Sequence, residues 1–337
     1  MRAGPLLPAL ALFAACGAPC EPYDPCFVPS WRVSDLRVLA VRADPPEAVV
    51  DLAQGLVPEV QVRALVVDQS RTYSTTATGR LCVPGRTSGC PDDAVPSGAP
   101  KLETAPALSV LAPPDLIAQA LREDPLRGYG GIRVRLDLAL DDGGGKVLRA
   151  DKILLYSPTA PGLQPNRPIE LARLRFVKDG ALVDDVLPGG IATLPEPFGY
   201  GLRPVLADGA GVEEYDVVDL SGRTVHLREQ VSYDFFSTAG LPFGKPQSTA
   251  AGLVINDGFA APGAAQGDEP APGAEPANGL AQLNAWGGGQ LWVVARDGRG
   301  AEAWMQVFVS APCTGVNPDL CHATYEFACG GEVHWRR

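Results

Sequence analysis

The stretch from Gly131 to Pro158, GIRVRLDLALDDGGGKVLRADKILLYSP, leaves few options for the fold. Ile132, Val134, Leu136, Leu138 and Leu140 alternate with Arg133, Arg135, Asp137 and Ala139. A period of two puts all five apolar side chains on one face of a strand, whereas on a helix they would scatter around the axis. The sequence DDGGGK then supplies a reversal, and a returning strand runs to near Tyr156. A hairpin with one apolar face must bury that face against a second layer.

The same signature recurs. In VPEVQVRALVVD, Val60, Val62, Ala64 and Val66 share one face, and Glu59, Gln61 and Arg63 the other. An earlier strand is expected over Leu36–Arg42, broken at Pro45-Pro46. One helix is expected, from about Pro114 to Glu123, with proline in its first turn, Pro125 beyond its end, and Leu116, Ala120 and Leu121 as its buried stripe. Residues 158–168 are proline-rich and aperiodic, and mark a boundary. Beyond them IELARLRF opens a second run of strands. Two strands flank a turn at Leu220–Gly222, an aromatic strand follows, and QLWVVARDGRGAEAWMQVFVSAP forms a hairpin turned at Asp297-Gly298. Residues 259–279 are low-complexity and acidic, and are expected as a loop inserted between strands. The fold class expected is all-β: two antiparallel β-sandwiches over 31–158 and 166–312, a short helix in the first, and a disulfide-rich C-terminal tail over 313–337.

The N-terminus carries an address. MRAGPLLPALALFAAC has one basic residue and an apolar stretch too short to span a bilayer but suited to a signal peptide over 1–15. Ala14 and Ala15 lead into Cys16 in a pattern that resembles the bacterial lipobox, with Phe13 where leucine is usual. That resemblance implies acylation of Cys16, cleavage before it, and a tether over 16–30. Several acyl chains hold a protein on a bilayer where one anchors only marginally. An ordinary signal peptide, cut elsewhere, is the alternative.

An exported chain meets an oxidising compartment, so its other cysteines are disulfide candidates: Cys20, Cys26, Cys82, Cys90, Cys313, Cys321 and Cys329. Cys82 and Cys90 flank a short loop that a local bridge would close. Acylation of Cys16 leaves an odd number, so one thiol is free or pairs outside the chain. His322 and His334 lie among the last cysteines without the spacing of a structural zinc site, and no metal or cofactor is expected.

The lipobox, LRVLAVRADPPEA opening one module and LWVVARDGRGAEAWMQVFV closing the other together resemble bacterial cell-surface lipoproteins with tandem immunoglobulin-like domains. The resemblance implies two Ig-like sandwiches and a lipid-anchored envelope protein, at the outer membrane, acting as a binding or structural module without catalytic residues. Secretion or a periplasmic location is the alternative.

Chemistry leaves few marks. The 337 residues hold 28 Lys+Arg against 39 Asp+Glu, a net charge of −11, which argues against nucleic-acid binding. There is no H-E-x-x-H, no G-x-S-x-G and no P-loop, and Asp141, Asp142 and Asp297 lack the spacing of a calcium loop, so solvated turns are expected there. A hydrolase would have to draw a carboxylate pair from Glu213, Glu214, Glu229 and Asp234, and this glycosidase-like reading stands as the alternative function. Trp292 and Trp304 are expected in a sandwich core or in cross-strand pairs. Trp286, before a glycine run, is the candidate ligand contact, toward a protein or glycan partner.

Overall fold

The computed structural model describes residues 33, 35–68, 75–85, 89–91, 94–97, 102–103, 107–159, 164–195, 200–208, 213–218, 223–229, 231–238, 281–283 and 287–311. Cys16, Cys20, Cys26, Trp286, Cys313, Cys321, Cys329 and the stretch 259–279 lie outside them. The described residues belong to one compact unit, within which two lobes are each built from consecutive strands.

The first lobe runs β1 (Arg37–Asp44), β2 (Glu47–Val50), β3 (Val60–Val67), β4 (Thr75–Cys82), β5 (Val95–Ser97), β6 (Leu102–Glu103), β7 (Ala107–Val110), α1 (Pro114–Glu123), β8 (Ile132–Asp141) and β9 (Val147–Pro158). One sheet has the order β1-β3-β7, the other β2-β9-β8-β4-β5, with β6 also on β4. In immunoglobulin lettering these are A-B-E and A′-G-F-C-C′, the order of an Ig-like sandwich. Ile132, Val134, Leu136, Leu138 and Leu140 are all buried, as the alternation requires, and meet Val60, Val62, Leu108 and Val110 from the facing sheet. The helix has the expected bounds, and buries Leu116, Ile117 and Ala120 against the same core. Ile117 takes the place expected for Leu121, which only packs along the edge. Cys82 and Cys90 are bonded.

The second lobe runs β10 (Leu171–Lys178), β11 (Ala181–Val186), β12 (Ile191–Thr193), β13 (Tyr200–Leu206), β14 (Glu214–Val218), β15 (Thr224–Arg228), β16 (Ser232–Ser237), β17 (Ala281–Leu283), β18 (Gly287–Arg296) and β19 (Glu302–Ala311). Its sheets are β11-β10-β13-β17 and β12-β19-β18-β16, and β14-β15 is a separate hairpin. Phe176, Tyr200, Leu202, Leu291, Val293, Met305 and Val307 fill the space between the sheets. The two lobes share a plan. In each, the ladders are antiparallel except for one short strand, β2 or β12, that runs parallel to the last strand, β9 or β19.

The lobes meet along an apolar seam. A register shift in β1 between Val38 and Ala40 is a bulge, and bulges re-aim side chains. Leu39 and Ala40 therefore join Val33, Val67, Trp292 and Val294 at the seam, while Val41 and Ala43 stay in the first core. Of the two places expected for the tryptophans, the cross-strand pair is the one found, with Trp292 opposite Phe236 of β16. Trp292, 2% exposed, and the half-buried Trp304 pack against the other lobe rather than inside their own sandwich. The strand β18 is consequently buried on both faces, with Leu291, Val293 and Ala295 turned to its own core. Its sequence LWVVA, five apolar residues without a polar break, carries that signal.

Candidate functional site

The functional geometry centres on the turn between β18 and β19. Asp297 opens it and is 3% exposed. Its Oδ1 accepts the N–H groups of Arg299, Gly300 and Ala301 at 2.8, 2.9 and 3.0 Å, and its Oδ2 accepts Asn166 Nδ2 at 2.8 Å. Asp297 is thus a buried brace, not the solvated turn residue expected. Asp141 and Asp142 do serve their own turn, accepting from Gly143, Gly144 and Lys146. Gly300 has φ +116°, and a Cβ there would stand 3.2 Å from Leu155 Cδ1 of β9. The turn therefore docks flush on the first lobe, and Arg299 is carried between the two.

Arg299 gathers partners from four segments. Its Nη2 donates to Glu47 Oε2 at 3.1 Å and to the Gln164 carbonyl at 3.2 Å. Its Nη1 donates to Glu229 Oε1 at 3.0 Å and Glu213 Oε2 at 3.4 Å. The guanidinium carbon lies 4.1 Å from the centre of the Tyr215 ring, a cation–π stack. Glu47 is tied further by Ser157 Oγ and by the Asn166 N–H at 2.7 Å. The Glu229 side chain is 1% exposed and also accepts the Glu213 N–H at 3.0 Å. Burial pushes the Glu229 carboxyl above its ordinary range, with Asp297 acting in the same direction, while the Glu213 N–H and Arg299 oppose it. Burial likewise raises the Tyr215 phenol, against the pull of Arg299.

A second set of bonds flanks the first. Glu302 Oε1 accepts Lys152 Nζ at 2.8 Å, and Glu302 Oε2 accepts the Val41 N–H at 3.2 Å. Lys152 Nζ also reaches the Gly300 carbonyl at 3.0 Å. Arg296 pairs with Asp234 and donates to the Leu39 carbonyl at 3.3 Å. A buried ion pair adds little net stability over apolar contacts of similar shape, but separating its members strands charge in a dry place. The two sets together therefore penalise any arrangement of the lobes other than this one.

The four carboxylates expected for hydrolysis thus part company. Glu213 and Glu229 converge on Arg299, Asp234 is held by Arg296, and Glu214 is exposed beside His226, whose Nε2 is 3.5 Å away. His226, also bonded to Asp216, has its pKa raised by these acceptors. Among the described residues no group of three or more His, Cys, Asp or Glu side chains is placed to hold a metal, and no helix is long and apolar enough to cross a membrane.

Sequence reasoning missed Arg299, Glu47, Asn166, Lys152 and Glu302. Lys152 had a signal. It shares strand parity with Leu154 and Tyr156, so a charge stands at a core-facing position and must find a partner. Arg299 had none, because an arginine in a hairpin turn reads as solvated.

Beside the cluster runs a groove of about 860 Å³. Tyr129, Arg133, Asp151 and Leu155 line it from the first lobe, Gln164 from the connecting segment, and Tyr215, Asp216 and Leu227 from the β14-β15 hairpin. Glu213 and Glu229 stand behind Arg299, off this lining.

No family model and no curated protein matches the sequence. Solved structures resemble it faintly. The fibronectin(III)-like modules of Clostridium thermocellum CbhA match at 10% identity and a TM-score of 0.19, over 82% of this chain and 97% of that one. The two tandem V-type regions of VCBP3, a v-region-containing chitin binding protein, match at 9% identity and a TM-score of 0.26, over 82% and 100%. Drosophila N-cadherin EC1-4 matches at 10% identity and a TM-score of 0.20, over 83% and 50%. At such scores the likeness decides nothing about function, and the Ig-like assignment rests on the strand order.

Proposed function

We propose that this chain is an exported envelope protein, anchored through acylated Cys16, whose two sandwiches serve as a binding or structural module and not as a catalyst. The observation that carries the non-catalytic reading is the commitment of the acids. A glycosidase needs one carboxyl free to donate a proton and another facing the sugar. Glu213 and Glu229 instead share one arginine nitrogen and stand off the groove, and Asp234 is paired with Arg296. The anchoring reading is supported by the short apolar run ending at Ala14-Ala15-Cys16, and an oxidising compartment suits the Cys82–Cys90 bond. Loops and grooves on a rigid scaffold are where such modules bind.

Two experiments test the two halves. Metabolic labelling with palmitate marks the wild-type chain and sends it into the detergent phase, while Cys16→Ser does neither; unchanged labelling of the variant refutes anchoring. Incubation with neutral and charged polysaccharides releases no reducing ends. Release that disappears in Glu229→Gln would restore the hydrolase.

A further inference from the structure

We propose that the groove between Tyr129 and Tyr215 binds a neutral oligosaccharide. This rests on the binding-module reading and supplies it with a site and a ligand class.

Tyr129 is 36% exposed at the tip of a braced turn. Arg127, Gly128, Gly130 and Gly131 all take left-handed φ values, +53°, +80°, +71° and +95°. A residue bearing a side chain takes such a value only where its surroundings over-determine it. Here Asp124 does so, its carboxylate accepting the Leu126 and Gly128 N–H groups at 2.9 and 2.8 Å. Further bonds run from the Tyr129 N–H to the Leu126 carbonyl and from the Gly131 N–H to the Gly128 carbonyl, each at 3.0 Å. Backbone order is thus spent on holding an aromatic ring in the open. Tyr215 is fixed by its stack on Arg299, and both tyrosines line the same groove. A ring stacked in place, as Tyr215 is, and a ring carried on a fixed backbone, as Tyr129 is, lose less freedom when a ligand arrives than the same rings on mobile loops.

The space between them suits a sugar. Leu155 offers an apolar floor, and Arg133, Asp151 and Gln164 stand around it. The ring hydroxyls of a sugar donate and accept at once, whereas its C–H face is apolar. An aspartate accepts, an arginine donates and a glutamine does both, so the three together match hydroxyls, while a phenol face matches the C–H side. The deep charges are already paired, Glu47 with Arg299 and Lys152 with Glu302, and the remaining charged side chains of the lining carry both signs, Arg133 against Asp151 and Asp216, so the groove presents no single sign of charge to a ligand. The volume falls within the range of small-ligand sites.

The test uses the full-length protein in a detergent without sugar headgroups. Calorimetry is run against hexasaccharides of glucose, xylose, mannose and N-acetylglucosamine. At least one binds. Tyr129→Ala weakens it about tenfold with an unchanged melting midpoint, whereas Tyr129→Phe, which keeps the ring, stays within about twofold. Asp151→Asn, distant from the braced turn, weakens binding as well. Affinity that survives Tyr129→Ala and Asp151→Asn overturns the groove while leaving a binding module with its site elsewhere. Absence of binding by all four probes overturns the ligand class. Protein capture that depends on Tyr129 does the same.

Discussion

Replacing Arg299 with alanine probes the device that joins the lobes. The side chain is 17% exposed and holds Glu229 at 1%, Glu47 at 10% and Glu213 at 20%. Its partners differ in what they keep. Glu47 retains Ser157 Oγ and the Asn166 N–H, and Glu213 retains Arg167, 3.1 Å away. Among the described residues, Glu229 retains only the Glu213 N–H. Breaking a buried pair by removing one member costs about 3–5 kcal/mol. Because the loss falls mainly on one carboxylate, the lower end, about 3 kcal/mol, is expected, or a fall of roughly 4–6 °C in the melting midpoint for a unit of this size. Without the arginine, Glu229 takes up a proton more readily, and a neutral carboxyl tolerates burial. The difference between wild type and Arg299→Ala therefore narrows as pH falls from about 7 to about 4.5. Scanning calorimetry at the two pH values measures both effects. A loss below about 1 kcal/mol at neutral pH, or one that does not shrink in acid, refutes the account of Glu229 as a buried charge sustained by Arg299.

Three further outcomes are expected. Folding raises the Glu229 pKa, so this group favours the folded state at pH below its unfolded value and the benefit is lost as pH rises through the folded value; Glu229→Gln flattens the dependence of the melting midpoint on pH between about 4.5 and 7. Replacing both Cys82 and Cys90, which are separated by 8 residues, with alanine lowers stability by about 2.5 kcal/mol through loop entropy, read from urea midpoints, and thiol titration finds this pair unreactive in the wild type. Gly300→Ala sets a side chain at φ +116° against Leu155, costs about 1–3 kcal/mol, and adds less than its full value to Arg299→Ala because both disturb one junction.

Much of the fold was legible because its signals are local. Alternation along 132–140 placed five side chains in one core, Pro114 and Pro125 framed the helix, and Cys82 and Cys90 sat close enough to bond whatever the rest of the chain did. The candidate site was legible only in fragments. The hairpin at Asp297-Gly298 was readable, as were Glu213 and Glu229 as acids worth watching, but not the arginine that gathers them.

Sequence alone therefore determined the strongly alternating strands, the turns of the two long hairpins and the all-β class, since a period of two and a glycine-rich reversal act over a few residues, whereas β4 and β13 carried no such signal to the reading. Tertiary structure decided what the exposed-looking faces do. Trp292 faces a seam because a bulge in β1 turns Leu39 and Ala40 toward it. Arg299 lies 252 residues from Glu47, 86 from Glu213 and 70 from Glu229, and only the docking of two finished sandwiches brings them within hydrogen-bonding distance. No local pattern encodes such a meeting, because the energy that favours it exists only once water has been excluded from between the lobes.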